Sequence, residues 1–378
     1  EGRIQTMLAV SRAAVVISDL DLDNIISKIQ PMYLLMIDSV KSVEKGNSKA
    51  VTLNTSLQFS EDLPIYQIFT SGSTGTPKLV AVRMRSFLNL LDWYTSNFDF
   101  GDDTRALLIA SVSFDLAQKN LFASLATGGC LYIYSDSIYN YEKISKLILD
   151  EKITSINCTP SAFYPLVEST RKNNYRELST LRTVFLGGES IDIDRLRDWA
   201  LGAGRCCRII NTYGPTECTD ILTYHVLCKE DYLHTHSVPI GRPIDNVRLY
   251  VMDSQQQLAP MGIPGELYAG GIGVSLGYIN SDSLNREKFV ELPEFPGQKL
   301  YRTGDIVRWN DDGLLEFMGR CDRQVKIRGY RIEIEEIEMC IGRFEGISEA
   351  VVIVHGEGDD KTLYAYIVVK KGNLLEFG

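Results

Sequence analysis

The run Phe69-Thr70-Ser71-Gly72-Ser73-Thr74-Gly75-Thr76-Pro77-Lys78 gathers hydroxyls, two glycines and a lysine into one short stretch. That is the chemistry a polyphosphate needs. Glycines let backbone N–H groups approach phosphate oxygens, hydroxyls donate further hydrogen bonds, and lysine supplies a point charge. The GxxxxGK[ST] spacing of a Walker A loop is absent. A flexible Gly/Ser linker has the same composition. Here, however, the apolar run Leu63–Phe69 precedes the stretch and Leu79–Val82 follows it. Both runs read as buried strands, so the loop between them is held.

Four further clusters carry reactive side chains. Asn211-Thr212-Tyr213-Gly214-Pro215-Thr216-Glu217 follows the apolar Arg208-Ile209-Ile210 and offers an aromatic face, a hydroxyl and a carboxylate. Tyr301-Arg302-Thr303-Gly304-Asp305 ends in an acid able to accept from two ribose hydroxyls. The stretch Gly319–Glu338 mixes dense charge with β-branched residues. Phe114-Asp115 follows a strand at Ala106–Ala110 and opens a helix, the position at which α/β folds bind ligands. Taken singly, each cluster is an ordinary turn, hairpin or helix start.

The elements that must position these groups are legible from periodicity. Strand-like and helix-like segments alternate over the first two thirds of the chain, the pattern of a layered α/β domain. Ile144, Leu147 and Ile148 recur at helical spacing, Ile153–Cys158 reads as a strand, and Thr159-Pro160 as an N-cap with a first-turn proline. A helix over Asp192–Leu201 is closed by Gly202 and Gly204. Beyond about Val238, short strands (Val247–Met252, Glu266–Ala269, Leu314–Phe317) separated by Gly and Pro suggest a barrel-like β region. After Asp322 come a strand, a helix with Ile334, Ile337, Ile341 and Phe344 on one face, and strands at Ala350–Val354 and Leu363–Val369. The expected fold is therefore α/β. It has a layered core of mixed sheets flanked by helices, a barrel-like β region, and the start of a small α+β C-terminal subdomain.

With 378 residues the chain can build more than one core. A net charge of −10 argues against nucleic acid as a partner, and no apolar run is long enough to span a bilayer. The eight cysteines show no CxxC pair, which suits free thiols in a reducing cytoplasm. His234-Thr235-His236 lacks the further ligands a metal site needs and reads as a solvated loop.

Together, and in this order, the clusters resemble the adenylate-forming enzymes, and most closely the amino-acid adenylation domains of nonribosomal peptide synthetases. The shared motifs are the phosphate loop, Tyr213–Glu217, Tyr301–Asp305 and Gly319–Glu333. The resemblance implies two steps. A carboxylate attacks the α-phosphate of ATP, giving aminoacyl-AMP and pyrophosphate; the phosphopantetheine thiol of a peptidyl carrier domain then takes the acyl group. It further implies Mg²⁺, and admits an MbtH-like protein as a partner.

Carried over residue by residue, Thr70, Ser71, Gly72, Ser73, Thr74, Gly75 and Lys78 would hold the phosphates. Tyr213 would pack on adenine with Asn211 and Gly188 at its edge, and Glu189 and Gly214 complete the nucleotide set. Thr216 would touch the α-phosphate and Glu217 would bind Mg²⁺; with Lys78 and Lys326 they form the expected catalytic set. Asp305 would hold the ribose, helped by Arg320, with Phe317 close by. Asp115 would pair with the substrate ammonium. Asp322 would be the hinge between a large core over residues 1–321 and a partial C-terminal subdomain over 322–378, with Gly329 and Tyr330 swinging towards the thiol.

The amino-acid pocket implied by the resemblance is Asp115, Leu116, Lys119, Asn157, Phe185, Gly187, Thr212, Asp220 and Ile221. Either Lys119 and Asp220 pair with each other, or Lys119 reaches out to solvent, or they answer a polar substrate side chain, most simply an acid or amide such as Glu or Gln, with Lys119 as its partner. Departures from the family pattern are Leu79, where a glycine usually follows the lysine, a start after the earliest motifs, and an end before the motif with the final catalytic lysine. Three alternatives stay open: an acyl- or aryl-CoA-type ligase, which would not need Asp115; a D-alanine–carrier-protein ligase; and a silent nucleotide-binding scaffold.

Overall fold

The structure is a computed structural model that describes residues 2–18, 33–36, 60–72, 77–136, 138–234, 237–356, 358 and 361–370. Its central sheet has seven strands in the order Arg242–Pro243, Thr223–Val226, Arg208–Tyr213, Thr183–Gly187, Ser155–Cys158, Arg105–Leu108 and Cys130–Ile133. The last five run parallel, and the first two close one edge antiparallel. Parallel strands need helical crossovers, which cover both faces and make the strands apolar throughout. Every residue of Ser155–Cys158 and Thr183–Gly187 is accordingly buried.

Side-chain alternation divides the strands between two cores. Val184 and Leu186 join Ile144, Ile148, Phe163, Leu196 and Trp199 of the helices Tyr141–Asp150, Pro160–Thr170 and Ile193–Leu201. Phe185 and Ile210 point the other way, into Phe87, Leu90, Trp93 and Tyr94 of the helix Met84–Asn97 and Ala123 of Asp115–Thr127. The helix starts follow local chemistry. Asn140 and Asp192 accept from Lys143 N and Asp194 N, both at 3.0 Å. Thr159 stands at the N-cap position, but its hydroxyl meets Ser161 Oγ at 3.0 Å rather than a backbone N–H. Gly202 and Gly204 return their N–H groups to Trp199 O.

The β region is a five-stranded antiparallel sheet of Val247–Met252, Gly265–Gly271, Leu300–Trp309, Phe289–Val290 and Leu315–Arg320. A three-stranded sheet pairs Pro64–Thr70 with Lys78–Arg83, and Lys78–Arg83 with Gly277–Tyr278. The C-terminal part is a hairpin, Val325–Ile327 with Tyr330–Ile332, then the helix Ile334–Gly342 and the antiparallel pair Ile347–His355 and Thr362–Val369. One expectation needs correcting: Phe344 is not on the helix. The helix ends at Gly342, Arg343 closes its last turn onto Cys340 and Ile341 carbonyls, and Phe344 is 66% exposed.

Candidate active site

The strand Arg208–Tyr213 delivers Tyr213 to the carboxyl edge of the central sheet. Its hydroxyl donates to Asp305 Oδ2 at 2.5 Å, and Arg320 Nη1 donates to Asp305 Oδ1 at 2.5 Å. Burial, with Asp305 alongside, holds the Tyr213 phenol well above its ordinary range, so it stays a donor. The Phe317 ring lies 6.5 Å from that of Tyr213. An aromatic face, a carboxylate and a guanidinium thus converge from three strands. Asn211, expected at the adenine edge, donates its amide to Pro239 O at 2.8 Å, so that donor is engaged with the backbone.

The phosphate loop caps the hairpin in which Thr70 pairs with Lys78. Ser73, Thr74, Gly75 and Thr76 lie outside the described residues. The Thr70 hydroxyl is buried without a partner. Ser71 Oγ donates to Arg331 O at 2.9 Å, Gly72 N–H to Glu336 Oε2 at 3.3 Å, and Lys78 Nζ stands 3.7 Å from Glu333 Oε1. Burial, reinforced by Arg331, lowers the Lys78 ammonium's pKa.

Glu217 follows Thr216 in a short 3₁₀ turn and is fully buried. Arg331 Nη1 donates to both of its carboxylate oxygens at 2.9 Å, and Tyr278 OH donates at 2.6 Å. Magnesium is bound through one or two carboxylates with waters and phosphates. Here the one carboxylate is neutralised by a guanidinium, so Glu217 as arranged does not fit a divalent cation.

The hairpin Val325–Ile332 brings these contacts. Lys326 Nζ lies 6.0 Å from the Tyr213 ring centroid, and burial lowers its pKa. Gly329 N–H donates to Glu189 Oε1 at 2.5 Å, while Glu189 Oε2 accepts from Ser161 N at 3.1 Å. Gly329 has φ +77°, and a Cβ there would stand 2.5 Å from Thr159 Cγ2; its Cα is also against Gly188. Tyr330 packs edge-on to Phe114 at 5.2 Å. Asp322, before the hairpin, is gripped by Arg320 Nε and Nη2 at 2.6 and 2.7 Å. Arg331, Glu333, Glu336 and Tyr278 escaped the reading of the sequence. The first three lie in a stretch dense in charge, but no spacing rule says which charge meets which partner.

A second cluster lies on the sheet face towards Met84–Asn97. Asp115 opens its helix and accepts Leu116 N–H at 2.8 Å. Lys119 Nζ meets Asp220 Oδ2 at 2.5 Å, both side chains buried, and also donates to Leu116 O at 3.3 Å. Burial raises the Asp220 carboxyl's pKa against the pull of Lys119. Thr219 and Asp220 both have positive φ, +62° and +67°, a strained pair for residues with side chains. Asn157, Phe185 and Ile221 are buried, and a Cβ on Gly187 would meet Thr212 Oγ1 at 2.6 Å and Leu116 Cδ1 at 3.8 Å. Of the readings open for Lys119, the structure shows it paired with Asp220 and buried rather than reaching to solvent.

Tyr213, Asp305 and Arg320 thus meet beyond the carboxyl end of the central sheet, the edge at which α/β folds bind ligands. The profile of the AMP-binding enzyme family matches residues 1–279, and the chain belongs to that family. It is 36% identical over 372 residues to bacitracin synthase 1 of Bacillus licheniformis, covering 98% of this chain and 7% of that one. It is 40% identical over 309 residues to malpinin synthetase of Mortierella alpina, covering 81% and 4%. The chain therefore spans a small part of these long relatives. Among solved structures, it superposes with a TM-score of 0.75 and 26% identity on the Vibrio cholerae adenylation domain AlmE in complex with glycyl-adenosine-5'-phosphate, covering 93% of this chain and 65% of that one. An artificially fused adenylation–PCP di-domain, NpsA-ThdA from Klebsiella oxytoca, shares the fold with a TM-score of 0.80 at 24% identity, covering 97% and 71%.

Proposed function

We propose that this chain activates an amino acid with ATP and passes it to a carrier domain in nonribosomal peptide synthesis. The substrate carboxylate attacks the α-phosphorus, a P–O bond forms, and the bond to pyrophosphate breaks. The phosphopantetheine thiol then displaces AMP from the acyl carbon. Catalysis of this kind rests on positioning and charge stabilisation. Asp305 and Arg320 hold the ribose and Tyr213 the adenine. The loop from Thr70 to Lys78 takes the phosphates, with Thr216 at the α-phosphate. Asp115 takes the ammonium.

The observation that carries this reading is the convergence of Tyr213, Asp305 and Arg320 at bonding distance. Glu217 becomes available to Mg²⁺ only when Arg331 withdraws, which fits movement of residues 322–378 about Asp322. The contacts of Ser71, Gly72, Glu189 and Glu217 with residues 329–336 are those such a movement breaks. We place the work in the cytoplasm, where all eight cysteines stay free thiols, as they are here; an MbtH-like protein is a compatible partner. Among the described residues no helix is long and apolar enough to cross a membrane.

Amino-acid-dependent ATP–pyrophosphate exchange by the full-length protein tests the proposal. Asp115→Ala should cripple exchange while AMP binding persists, since removing the partner of a desolvated ammonium costs about 3–5 kcal/mol. Exchange driven by acyl or aryl acids and unaffected by Asp115→Ala points instead to a coenzyme A ligase. Nucleotide binding without exchange points to a scaffold.

A further inference from the structure

A cleft of about 670 Å³ opens where the small three-stranded sheet meets the five-stranded sheet, and none of its lining residues belongs to the candidate active site. Four of the lining side chains are cations, Arg83, Arg85, Arg248 and Lys299, and none is acidic. In a chain of net charge −10 this is a local reversal of sign. Arg83 ends the strand Lys78–Arg83, and Arg85 stands in the first turn of the helix Met84–Asn97. Arg248 lies on Val247–Met252, and Lys299 immediately precedes Leu300–Trp309.

Counter-charge is scarce here. Among the described residues, Asp62 is the one carboxylate within ion-pairing distance of any of the four, 3.7 Å from Arg83 Nη1 and 3.1 Å from Arg85 Nε. Its side chain is 61% exposed, so it sits at the rim. Arg83 Nε and Arg85 Nε are buried without a hydrogen-bond partner. Arg248 is exposed and meets no acid. Lys299 Nζ donates to Leu276 O at 2.9 Å and lies 4.3 Å from the Phe289 ring centroid, contacts that leave its charge unopposed. Burial and then Arg83 lower the Lys299 ammonium's pKa, and burial and then Arg85 lower that of Arg83. Each therefore feels another cation more strongly than any acid.

Like charges gathered in a cleft focus a positive potential and concentrate anions. Guanidinium planes with open N–H edges grip phosphate oxygens in bidentate fashion. With Asp62 offsetting one of the four cations, three remain. A carboxylate answers one of them, whereas a phosphate monoester carries about two negative charges and a diphosphate more. The volume is that of a small-molecule site.

We propose that this cleft binds a small multivalent oxyanion, of the phosphate monoester or diphosphate class, at a site separate from the phosphate loop. The strand Lys78–Arg83 joins the two sites and sets them about 17 Å apart, beyond the reach of one diphosphate.

Calorimetric titration of the full-length protein, free of nucleotide, with inorganic phosphate, pyrophosphate, phenyl phosphate and acetate is the test. Lys78→Met removes the loop's cation, so oxyanion binding that persists in this variant belongs elsewhere. Arg248→Gln and Lys299→Met should each weaken that binding roughly 10- to 150-fold, the loss of one charge-assisted hydrogen bond. Arg248 is exposed, so its variant tests the cleft without endangering the fold. Pyrophosphate binding tighter than phenyl phosphate upholds the site and assigns it to a free anion. The reverse order upholds it and assigns it to an organic ester, whose apolar part lies on Val247, Ile272 and Val274. Binding abolished by Lys78→Met and unchanged by Arg248→Gln overturns the proposal, as does acetate binding as tightly as phosphate, or no oxyanion binding at millimolar concentration.

Discussion

Arg331 Nη1 sits 2.9 Å from each carboxylate oxygen of Glu217, although the two residues are 114 positions apart. The pair ties the C-terminal hairpin to the turn that ends the nucleotide strand. Removing one partner of a buried pair leaves an uncompensated charge, whereas removing both can be nearly neutral. Arg331→Met should therefore destabilise the protein by about 3–5 kcal/mol, and Arg331→Met with Glu217→Gln should recover most of that. Urea unfolding midpoints of the two variants check this; an equally unstable double variant would contradict it.

The same pair makes an acid-side prediction. Burial pushes the Glu217 carboxyl up, but Arg331 and Tyr278 more than offset it, leaving the group below its ordinary value of 4.5. A carboxyl depressed on folding contributes stability that is present above its unfolded pKa and lost as pH falls through the folded one. Unfolding free energy should therefore decline below about pH 4.5. The decline should be shallower in the double variant, measured by urea titration at stepped pH.

Asp305 receives both Tyr213 and Arg320. Asp305→Ala removes a charge-assisted acceptor, worth about 1.5–3 kcal/mol. AMP affinity by calorimetry should fall roughly 10- to 150-fold by the same conversion. Wild-type affinity would remove Asp305 from the nucleotide site.

Gly329 is held at φ +77° against Thr159, with no room for a Cβ. Gly329→Ala should unseat the hairpin at a cost of about 1–3 kcal/mol. Limited proteolysis within residues 320–333 should then quicken. Thr159→Ser, which removes the opposing Cγ2, should partly restore protection; no change in either variant would mean the hairpin does not rely on this contact.

The layered sheet was legible because parallel strands buried on both faces read as apolar runs such as Val184–Leu186, and helices as periodic ones such as Ile144, Leu147 and Ile148. The barrel-like region announced itself through Gly and Pro between short strands. Phe344 was misplaced because the apolar periodicity continues past Gly342, the last residue of the helix. Within the site, Tyr213 and Asp305 were recognisable from the stretches that carry them, but Asn211's engagement with Pro239 was not, since a carbonyl 28 positions away leaves no mark in the local sequence.

By itself the sequence determined the residue types that can meet a nucleotide and an ammonium, and the elements that carry them. Those depend on local spacing, backbone propensity and the alternation of apolar positions, all properties of neighbours along the chain. Only the tertiary structure decided the pairings: Arg331 on Glu217, Lys119 on Asp220, and Glu333 beside Lys78. Charge compensation in a buried site depends on distances between segments a hundred or more residues apart, and those distances exist only once the sheets, the β region and the C-terminal hairpin have packed.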